Sequence, residues 1–359
     1  MEFGIFLTMP SPEAGEAGEV YRRGLDMAIR AEELGFSRLW LAEHHFSTYS
    51  YLPRPLLVLA HLAGKTSRIR LGTAIVPLPL HNPLLVAEEI AVVDVLSGGR
   101  VELGIGKGYQ RYQFDRLGVA KDGNDNRYRE AIQVLHRALS EQTFSHSGEY
   151  FNIPETTLVP RTVQRPMPIW LVVNTGNRES VEFALGHGMN LFTGVLEPLD
   201  RLTRPDLTYP DLFERYRPRY IGTQRPVFVS YDPAEIERAV AHVRWNARVS
   251  ISQRHDFGEI KNGKAIAREL TGEPATEEIL ENYVIMGTPE HCIRRLRRLQ
   301  NGLGCNYFSA SFWFGALDHA SAMSSMELFA AEVMPAFSFQ PATKSASTLA
   351  PQNLSLTGP

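Results

Sequence analysis

The first 110 residues alternate short apolar runs with longer amphipathic segments, and this alternation restricts the fold more than any other feature. Runs at residues 3–7, 39–41, 69–76 and 101–106 have the length and composition of buried strands. Between these runs, helical periodicity is found at residues 20–34, 55–63 and 84–96. Strands that alternate with helices form right-handed βαβ units and a parallel sheet. The pattern therefore predicts a (β/α)8 barrel or a doubly wound sheet.

The second half of the chain repeats the pattern less regularly. Apolar runs at residues 169–173, 189–193, 226–230 and 305–309 predict four further strands. Residues 141–168 are predicted to form a polar hairpin or loop, because Gly148, Pro154 and Pro160 interrupt them. A helix is predicted at residues 290–299.

Composition limits the class of protein. The 359 residues, 43% of them hydrophobic, are enough for one large core, so we expect a single domain over residues 1–335 and a Ser/Thr/Pro-rich tail over 336–359. The net charge of -3 argues against binding to nucleic acid or an anionic membrane and favours a small-molecule substrate. Cys292 and Cys305 are not in a metal-ligand spacing, so no metal and no disulfide scaffold are expected. The start of the chain lacks a basic leader, which predicts a cytoplasmic protein.

Glu43, His44 and His45 directly follow the second predicted strand. In barrels and doubly wound sheets, reactive groups collect at the carboxyl ends of the strands, where the loops converge. A carboxylate and two imidazoles at this position are therefore candidates for acid–base chemistry. A hydrogen-bond network within the core would explain the same three residues.

The predicted helix at residues 84–96 is apolar around nearly its whole circumference. A helix packed on a barrel buries only one stripe, so its second apolar face needs another partner. We expect that partner to be a second subunit. An extension of the same chain is the alternative.

Two glycine-containing loops are candidate ligand sites. Residues 104–109 do not match a dinucleotide fingerprint because the third glycine comes too early, but they offer a close backbone approach beside Lys107. Residues 174–180 lead from the fifth predicted strand into a helix, where free backbone N–H groups suit a phosphate. Ordinary helix capping by Asn177 or Ser180 would explain that second loop without a ligand.

These motifs together resemble the bacterial-luciferase-like, flavin-dependent monooxygenases. The resemblance spans most of residues 1–335, and it is close to the luciferase subunits themselves in the first half. Single motifs are common elsewhere, but their order and spacing are specific. The motifs are Phe3-Gly4, Glu33-Leu-Gly-Phe36, Trp40-Leu-Ala-Glu-His-His-Phe46, Arg70-Leu-Gly-Thr-Ala74, Pro79-Leu-His-Asn-Pro83, Ala87-Glu-Glu89, Ser97-Gly-Gly-Arg100, Gly104-Ile-Gly-Lys-Gly-Tyr109, Pro166-Met-Pro-Ile-Trp170 and Gly287-Thr-Pro-Glu290.

The resemblance implies a (β/α)8 barrel that binds reduced FMN (FMNH2), supplied by a separate reductase, at the carboxyl ends of its strands. It implies reaction with O2 to a C4a-hydroperoxyflavin, which oxygenates a small organic substrate. An F420-dependent dehydrogenase of the same fold and a non-catalytic flavin-binding relative are the alternatives. The family also has a mobile lid at the position of residues 252–285, where an ordinary surface insertion is the alternative.

The same resemblance assigns roles to single residues. His44 matches the family's acid–base histidine, and Ala74–Ile75 matches a non-prolyl cis peptide that supports the flavin ring. Lys107 stands where the family has arginine, and Gly106 stands where luciferase has a reactive cysteine. His45 and Glu88 match a pair that joins two subunits, which implies a homodimer through the region of residues 84–96. The residues expected to bind the cofactor are Ala74, Ile75, Lys107, Tyr109, Val173, Gly176, Asn177 and Ser180.

Overall fold

A computed structural model describes residues 1–195, 197–204 and 209–337 of the chain. The predicted tail from residue 338 onward lies outside the described residues. The strands are β1 (Glu2–Leu7), β2 (Arg38–Leu41), β3 (Arg70–Pro77), β4 (Val101–Gly106), β5 (Phe144–Ser147), β6 (Asn152–Thr156), β7 (Ile169–Val173), β8 (Asn190–Thr193), β9 (Ile221–Val229), β10 (Glu259–Lys261), β11 (Lys264–Ile266), β12 (Ile285–Gly287) and β13 (Tyr307–Ser311).

Helices connect the strands along the chain. They are α1 (Ala17–Glu33), α2 (Pro55–Ala63), α3 (Pro83–Ser97), α4 (Arg111–Arg116), α5 (Asp125–Ser140), α6 (Arg178–Gly186), α7 (Leu199–Leu202), α8 (Pro210–Tyr216), α9 (Pro233–Arg254), α10 (Thr276–Asn282), α11 (Pro289–Leu303) and α12 (His319–Leu328).

Eight parallel strands close into a barrel in the order β1-β2-β3-β4-β7-β8-β9-β13, with β13 paired back to β1 and β8 paired to β9. The predicted (β/α)8 barrel is therefore confirmed, and the doubly wound alternative is excluded. All eight predicted strands are barrel strands, although β9 begins five residues earlier than expected, at Ile221. Within the described part of the chain, strand β12 pairs only with β9, and it was not predicted.

Helix boundaries follow from local capping. The side chain of Asn82 accepts a hydrogen bond from the Leu84 amide, Pro83 occupies the first turn of α3, and Gly98 ends the helix with φ 67°. Helix α11 uses the same devices at Thr288, with Gly304 at its end. These signals explain why both helices were predicted to within a few residues.

The two segments without clear periodicity are structured. Residues 141–168 contain the expected hairpin, formed by the antiparallel strands β5 and β6. Residues 252–285 begin with the last turn of α9 and contain the β10–β11 hairpin and α10. Their role as a lid stays a prediction.

Aromatic rings fill the interior of the barrel. Trp40 and Trp170 are fully buried, with ring centroids 5.2 Å apart, and the Nε1 atom of Trp40 donates to the hydroxyl of Tyr307 at 2.6 Å. Glycines on the neighbouring strands provide the space, because a Cβ at Gly72 would lie 2.2 Å from the Trp40 ring and one at Gly4 would lie 1.9 Å from the Tyr307 hydroxyl. The barrel is a packed core, so a ligand site has to lie at its rim.

The amino end of the barrel is closed by ion pairs. The carboxylate of Glu102 is 3% exposed and accepts hydrogen bonds from the Arg38 guanidinium at 3.0 Å and from Trp170 Nε1 at 2.5 Å. Arg70 pairs with the same carboxylate. Since this end is occupied by a satisfied polar cluster, the carboxyl end is left for function.

Strands β3 and β4 approach each other closely at Gly104. A Cβ at this position would lie 2.0 Å from the Thr73 carbonyl oxygen, and the Thr73 hydroxyl donates to the Gly104 carbonyl at 2.9 Å. We expect Gly104→Ala to lower the free energy of unfolding by about 1–3 kcal/mol, because backbone rather than a flexible side chain has to move. Chemical denaturation followed by circular dichroism measures this change.

Gly18→Ala is the matched control. A Cβ at Gly18, in the first turn of α1, meets nothing within 4 Å. This variant should be neutral or stabilised by up to about 1 kcal/mol, because alanine favours the helix. Equal losses in the two variants would contradict the close approach of β3 and β4.

Candidate active site

Two adjacent histidines in the turn after β2, His44 and His45, have different surroundings. The His44 ring packs edge-on against Tyr49, with centroids 4.9 Å apart, and against Tyr109 at 6.0 Å. The ring lies deep among these neighbours but remains partly exposed, and it lines a cavity of about 400 Å³ between its own turn and the β10–β11 hairpin at Asn262 and Gly263. The residues expected to bind the cofactor do not line this cavity. Burial, followed by the charge of nearby His45, lowers the pKa of His44 to about 4. His44 is therefore neutral near pH 7.

His45 belongs to a separate network centred on Glu43. The Oε1 atom of Glu43 lies 2.9 Å from His45 Nε2 and 2.5 Å from His81 Nε2, and the carboxylate is buried. Burial opposes ionisation of Glu43, but the hydrogen bonds from the two histidines outweigh it and lower its pKa. The hydrogen-bond alternative weighed for this motif thus describes Glu43 and His45 well, whereas His44 faces elsewhere.

The three ligand atoms of Glu43, His45 and His81 lie within 4.8 Å of one another, which is close enough for a shared metal ion. However, Arg54 Nη1 lies 3.3 Å from His81 Nδ1. A guanidinium only donates, so Nδ1 accepts and the ring proton points from Nε2 towards Glu43. A metal on Nε2 would place the displaced proton against Arg54. This arrangement favours a hydrogen-bond network over a metal site.

The carboxyl ends of β3 and β4 form one surface. The peptide bond between Ala74 and Ile75 is cis, as expected, and the register of the β3–β4 pair shifts between Thr73 and Val76. The Ile75 side chain lies against Gly106, where a Cβ would be 2.9 Å from its Cδ1 atom. The structure thus brings together the cis peptide and Gly106.

The two residues expected to follow β4 diverge. Lys107 is exposed and forms an ion pair with Asp125 at the start of α5. Tyr109 turns towards α9, where its hydroxyl lies 3.3 Å from the Ser250 hydroxyl, and its ring contacts His44. Lys107 therefore reaches towards α5, and Tyr109 reaches towards α9 and His44.

The loop after β7 begins helix α6. The side chain of Asn177 accepts from the Ser180 amide at 3.0 Å, so the capping alternative is correct for these two residues. The amides of Arg178 and Glu179 come before the first intrahelical bond and have no helical acceptor. Val173 is 2% exposed and its side chain packs in the core, so only its backbone can contact a ligand.

Contacts through α5 relate this loop to Lys107. Asp125, in the first turn of α5, pairs with Lys107, and Arg129, one turn later, donates to Glu179 at 2.8 Å. The segments after the adjacent strands β4 and β7 therefore both border the start of α5.

Two charged residues that follow β8, Glu197 and Arg201, were not predicted from the sequence to belong to the site. The Nη2 atom of Arg201 would lie 2.2 Å from a Cβ at Gly176, so the guanidinium sits directly on the glycine of the α6 loop. The Glu197 carboxylate accepts from the Thr175 hydroxyl at 2.7 Å. Their position just past the carboxyl end of a barrel strand was the signal that could have identified them.

Part of the predicted lid covers the His44 turn. The Thr48 amide donates to the Gly263 carbonyl at 2.8 Å, and the Ala265 amide donates to the Thr48 hydroxyl at 3.1 Å. Tyr49 and Ala265 share a small apolar cluster with Trp245 of α9. The β10–β11 hairpin thus packs on the turn that carries His44.

Known proteins of similar sequence show to which family this chain belongs. The sequence pattern described as luciferase-like monooxygenase matches residues 1–304. This chain belongs to that family. The expectation of a luciferase-like monooxygenase, made from the motifs, is thereby confirmed.

Individual relatives span nearly the whole chain. The oxygenase component of the flavin-dependent trigonelline monooxygenase of Acinetobacter baylyi is 28% identical over 360 residues, covering 94% of this chain and 96% of that protein. The oxygenating constituent of the 3,6-diketocamphane monooxygenase of Pseudomonas putida, solved in complex with FMN, matches with a TM-score of 0.74 at 19% identity, covering 93% of this chain and 98% of that one.

The fold is also shared outside the monooxygenases. An F420-dependent secondary alcohol dehydrogenase matches with a TM-score of 0.69 at 19% identity, covering 93% of this chain and 98% of that one. Among the described residues, no helix of this luciferase-like protein combines the length and apolar character that a membrane span requires.

Proposed function

We propose that this protein is the oxygenase of a two-component system. It binds reduced FMN delivered by a separate reductase and transfers one oxygen atom of O2 to a small organic substrate. The observation that carries the proposal is that His44 contacts Tyr109 at the carboxyl rim of the barrel. The Ala74–Ile75 peptide and Gly106 lie at the same rim. Family membership supports it independently.

The residues at the rim fit a flavin phosphate. Free amides at the start of α6 and the Arg201 guanidinium against Gly176 form a donor set suited to an anion. The Lys107 ammonium is paired with Asp125 and would have to leave that carboxylate to join them. Ser180 lies in the first turn of α6. Arg201 supplies the planar, two-pronged donor that Lys107 does not, because an ammonium acts as a point charge.

The ring of the cofactor would lie on the surface made by Ala74, Ile75 and Gly106, where the Ile75 side chain packs over the glycine. Reduced FMN supplies the electrons that activate O2. His44 is neutral near pH 7, so it can exchange a proton with the reacting groups. The β10–β11 hairpin over this turn is suited to excluding water.

The reaction is tested with FMN photoreduced under anaerobic conditions and then mixed with aerated buffer in a stopped-flow spectrometer. With the wild-type protein, we expect a transient absorbance distinct from that of oxidised and reduced FMN, lasting longer than in free flavin. His44→Gln should lower product formation by about 10²-fold or more, because a general acid–base group is lost. Reoxidation at the rate of free FMN under every condition would refute the proposal, and binding of F420 without binding of FMN would favour a dehydrogenase.

The phosphate site is tested by comparing FMN with riboflavin, which lacks the phosphate. Arg201→Met should weaken FMN binding by about 10- to 100-fold, the loss of one charge-assisted hydrogen bond, and leave riboflavin binding unchanged. Flavin fluorescence quenching measures both affinities. Arg294→Met, at an exposed arginine of α11, is the control and should change neither. An equal effect of Arg201→Met on the two flavins would contradict a phosphate contact.

We also propose that the protein is a homodimer through α3. Leu85 is 56% exposed, Val92 43% and Leu96 60%, and their spacing places them on one outward stripe. Glu88 lies exposed on the same stripe. His45, its expected partner across the interface, is buried and bonded to Glu43 of its own chain, so their pairing stays a prediction. Such a stripe is costly to leave in water, and a second copy of the same surface would bury it.

Size-exclusion chromatography with light scattering tests the dimer. We expect twice the mass of one chain for the wild type and a single-chain mass for the double variant Val92→Lys with Leu96→Lys, because two desolvated cations oppose association. Leu117→Lys, at a residue 40% exposed after α4, should remain dimeric. A wild-type protein with the mass of one chain at micromolar concentration would refute this assembly.

A further inference from the structure

Two buried amide side chains lie beside His44 and have no role in the proposal above. Gln110 is 3% exposed and Gln113 is 4% exposed, in the segment that leads from β4 into α4. Buried amides need defined partners, because an unpaired amide loses its hydrogen bonds to water without compensation. The hydrogen-bond partners of these two side chains therefore indicate which nitrogen of the neighbouring His44 ring accepts a hydrogen bond.

The amides form a chain of hydrogen bonds with a consistent direction. The Nε2 atom of Gln110 donates to the Tyr109 hydroxyl at 3.4 Å, which leaves its Oε1 atom facing Gln113. Gln113 Nε2 donates to that oxygen and also lies 3.4 Å from His44 Nδ1. The far end of the chain is the contact of Tyr109 with Ser250 on α9.

We propose that Gln113, oriented by Gln110, is a positioning residue that donates to His44 Nδ1 and thereby keeps the proton of the neutral ring on Nε2. An amide nitrogen only donates, so a ring nitrogen that faces it has to accept. His44 then presents an N–H group at Nε2 to a reacting group. This inference rests on the proposed function only in so far as His44 is the residue that exchanges the proton.

The geometry also explains how the ring can change its tautomer. A proton on Nδ1 requires the Gln113 oxygen to face His44, and the Gln110 oxygen then has to turn towards Tyr109. The Tyr109 hydroxyl can donate as well as accept, so the chain can reverse without leaving a buried group unpaired. Reversal requires both amides to turn together, and the structure holds the arrangement in which Gln113 donates to Nδ1.

The charged and titratable groups around the His44 ring come from three elements. Glu43 and His45 adjoin it in the turn, Tyr49 and Tyr109 pack against it, and the Arg254 guanidinium of α9 lies 4.6 Å from the Tyr109 ring centre. The Gln110 side chain also lies within hydrogen-bonding reach of His44, where its oxygen favours the protonated ring, so His44 contacts both amides of the chain. A charge introduced at Gln113 should act directly on Nδ1.

The test is nuclear magnetic resonance of the full-length protein labelled with 15N-histidine, with His44→Gln used to assign the His44 signals. In the wild type, we expect a neutral ring with its proton on Nε2 from pH 8 down to about pH 5. Gln113→Glu places a carboxylate at Nδ1 and should raise the pKa of His44 by about one to three units, with the proton on Nδ1. Protonation of His44 would then occur at correspondingly higher pH.

Gln113→Met keeps the volume without the donor, and we expect it to yield a mixture of the two tautomers. Gln300→Glu on α11 adds the same charge outside the site and should leave the His44 titration unchanged. A wild-type ring with its proton on Nδ1 would overturn the inference, and this measurement needs no variant at Gln113 that folds. An unchanged His44 titration in a folded Gln113→Glu variant would also overturn it.

FMN binding, measured on the same samples by fluorescence quenching, separates this inference from the proposed function. If the proposed function is wrong, the wild-type protein will not bind FMN, whichever ring nitrogen of His44 carries the proton. Failure of the positioning role would appear as the wrong tautomer in a protein that still binds FMN.

Discussion

The structure depends on how the barrel interior is filled. Trp40, Trp170 and Tyr307 occupy its centre, and they fit only because glycines at positions 4 and 72 on the neighbouring strands leave them room. Ion pairs on Glu102 close the amino end. With the interior packed and one end sealed, the carboxyl rim remains as the place where loops can surround a ligand.

At that rim, function is divided between neighbouring residues by the direction of their side chains. His45 joins Glu43 and His81 in one network, whereas His44 lies between Tyr49 and Tyr109. The first network is suited to holding the turn that carries both histidines. The second places a neutral imidazole, with a lowered pKa, in a cavity, which is a common property of catalytic residues.

The rim is built from several distant parts of the chain. Arg201 follows β8 yet lies on Gly176, which follows β7, and the hairpin carrying Gly263 lies on Thr48, which follows β2. Each contact joins segments far apart in sequence, and each is small. The site is therefore set by the relative placement of strands, which the packed interior fixes.

The sequence by itself determined the barrel, because hydrophobic periodicity and the residues that interrupt it are local properties of the chain. The eight apolar runs and the caps at Asn82 and Thr288 specify strands and helices without distant contacts. It also predicted the cis peptide at Ala74–Ile75 and named His44 as the candidate acid–base residue, through motifs specific to the family. Only the tertiary structure decided which other side chains meet at the rim. The contact of Arg201 with Gly176 and the hydrogen bonds of Gln110 and Gln113 beside His44 join different elements, so no local pattern specifies them. Strand β12 was not predicted because three residues are too few to show a periodic pattern. Only their pairing with β9 makes them a strand.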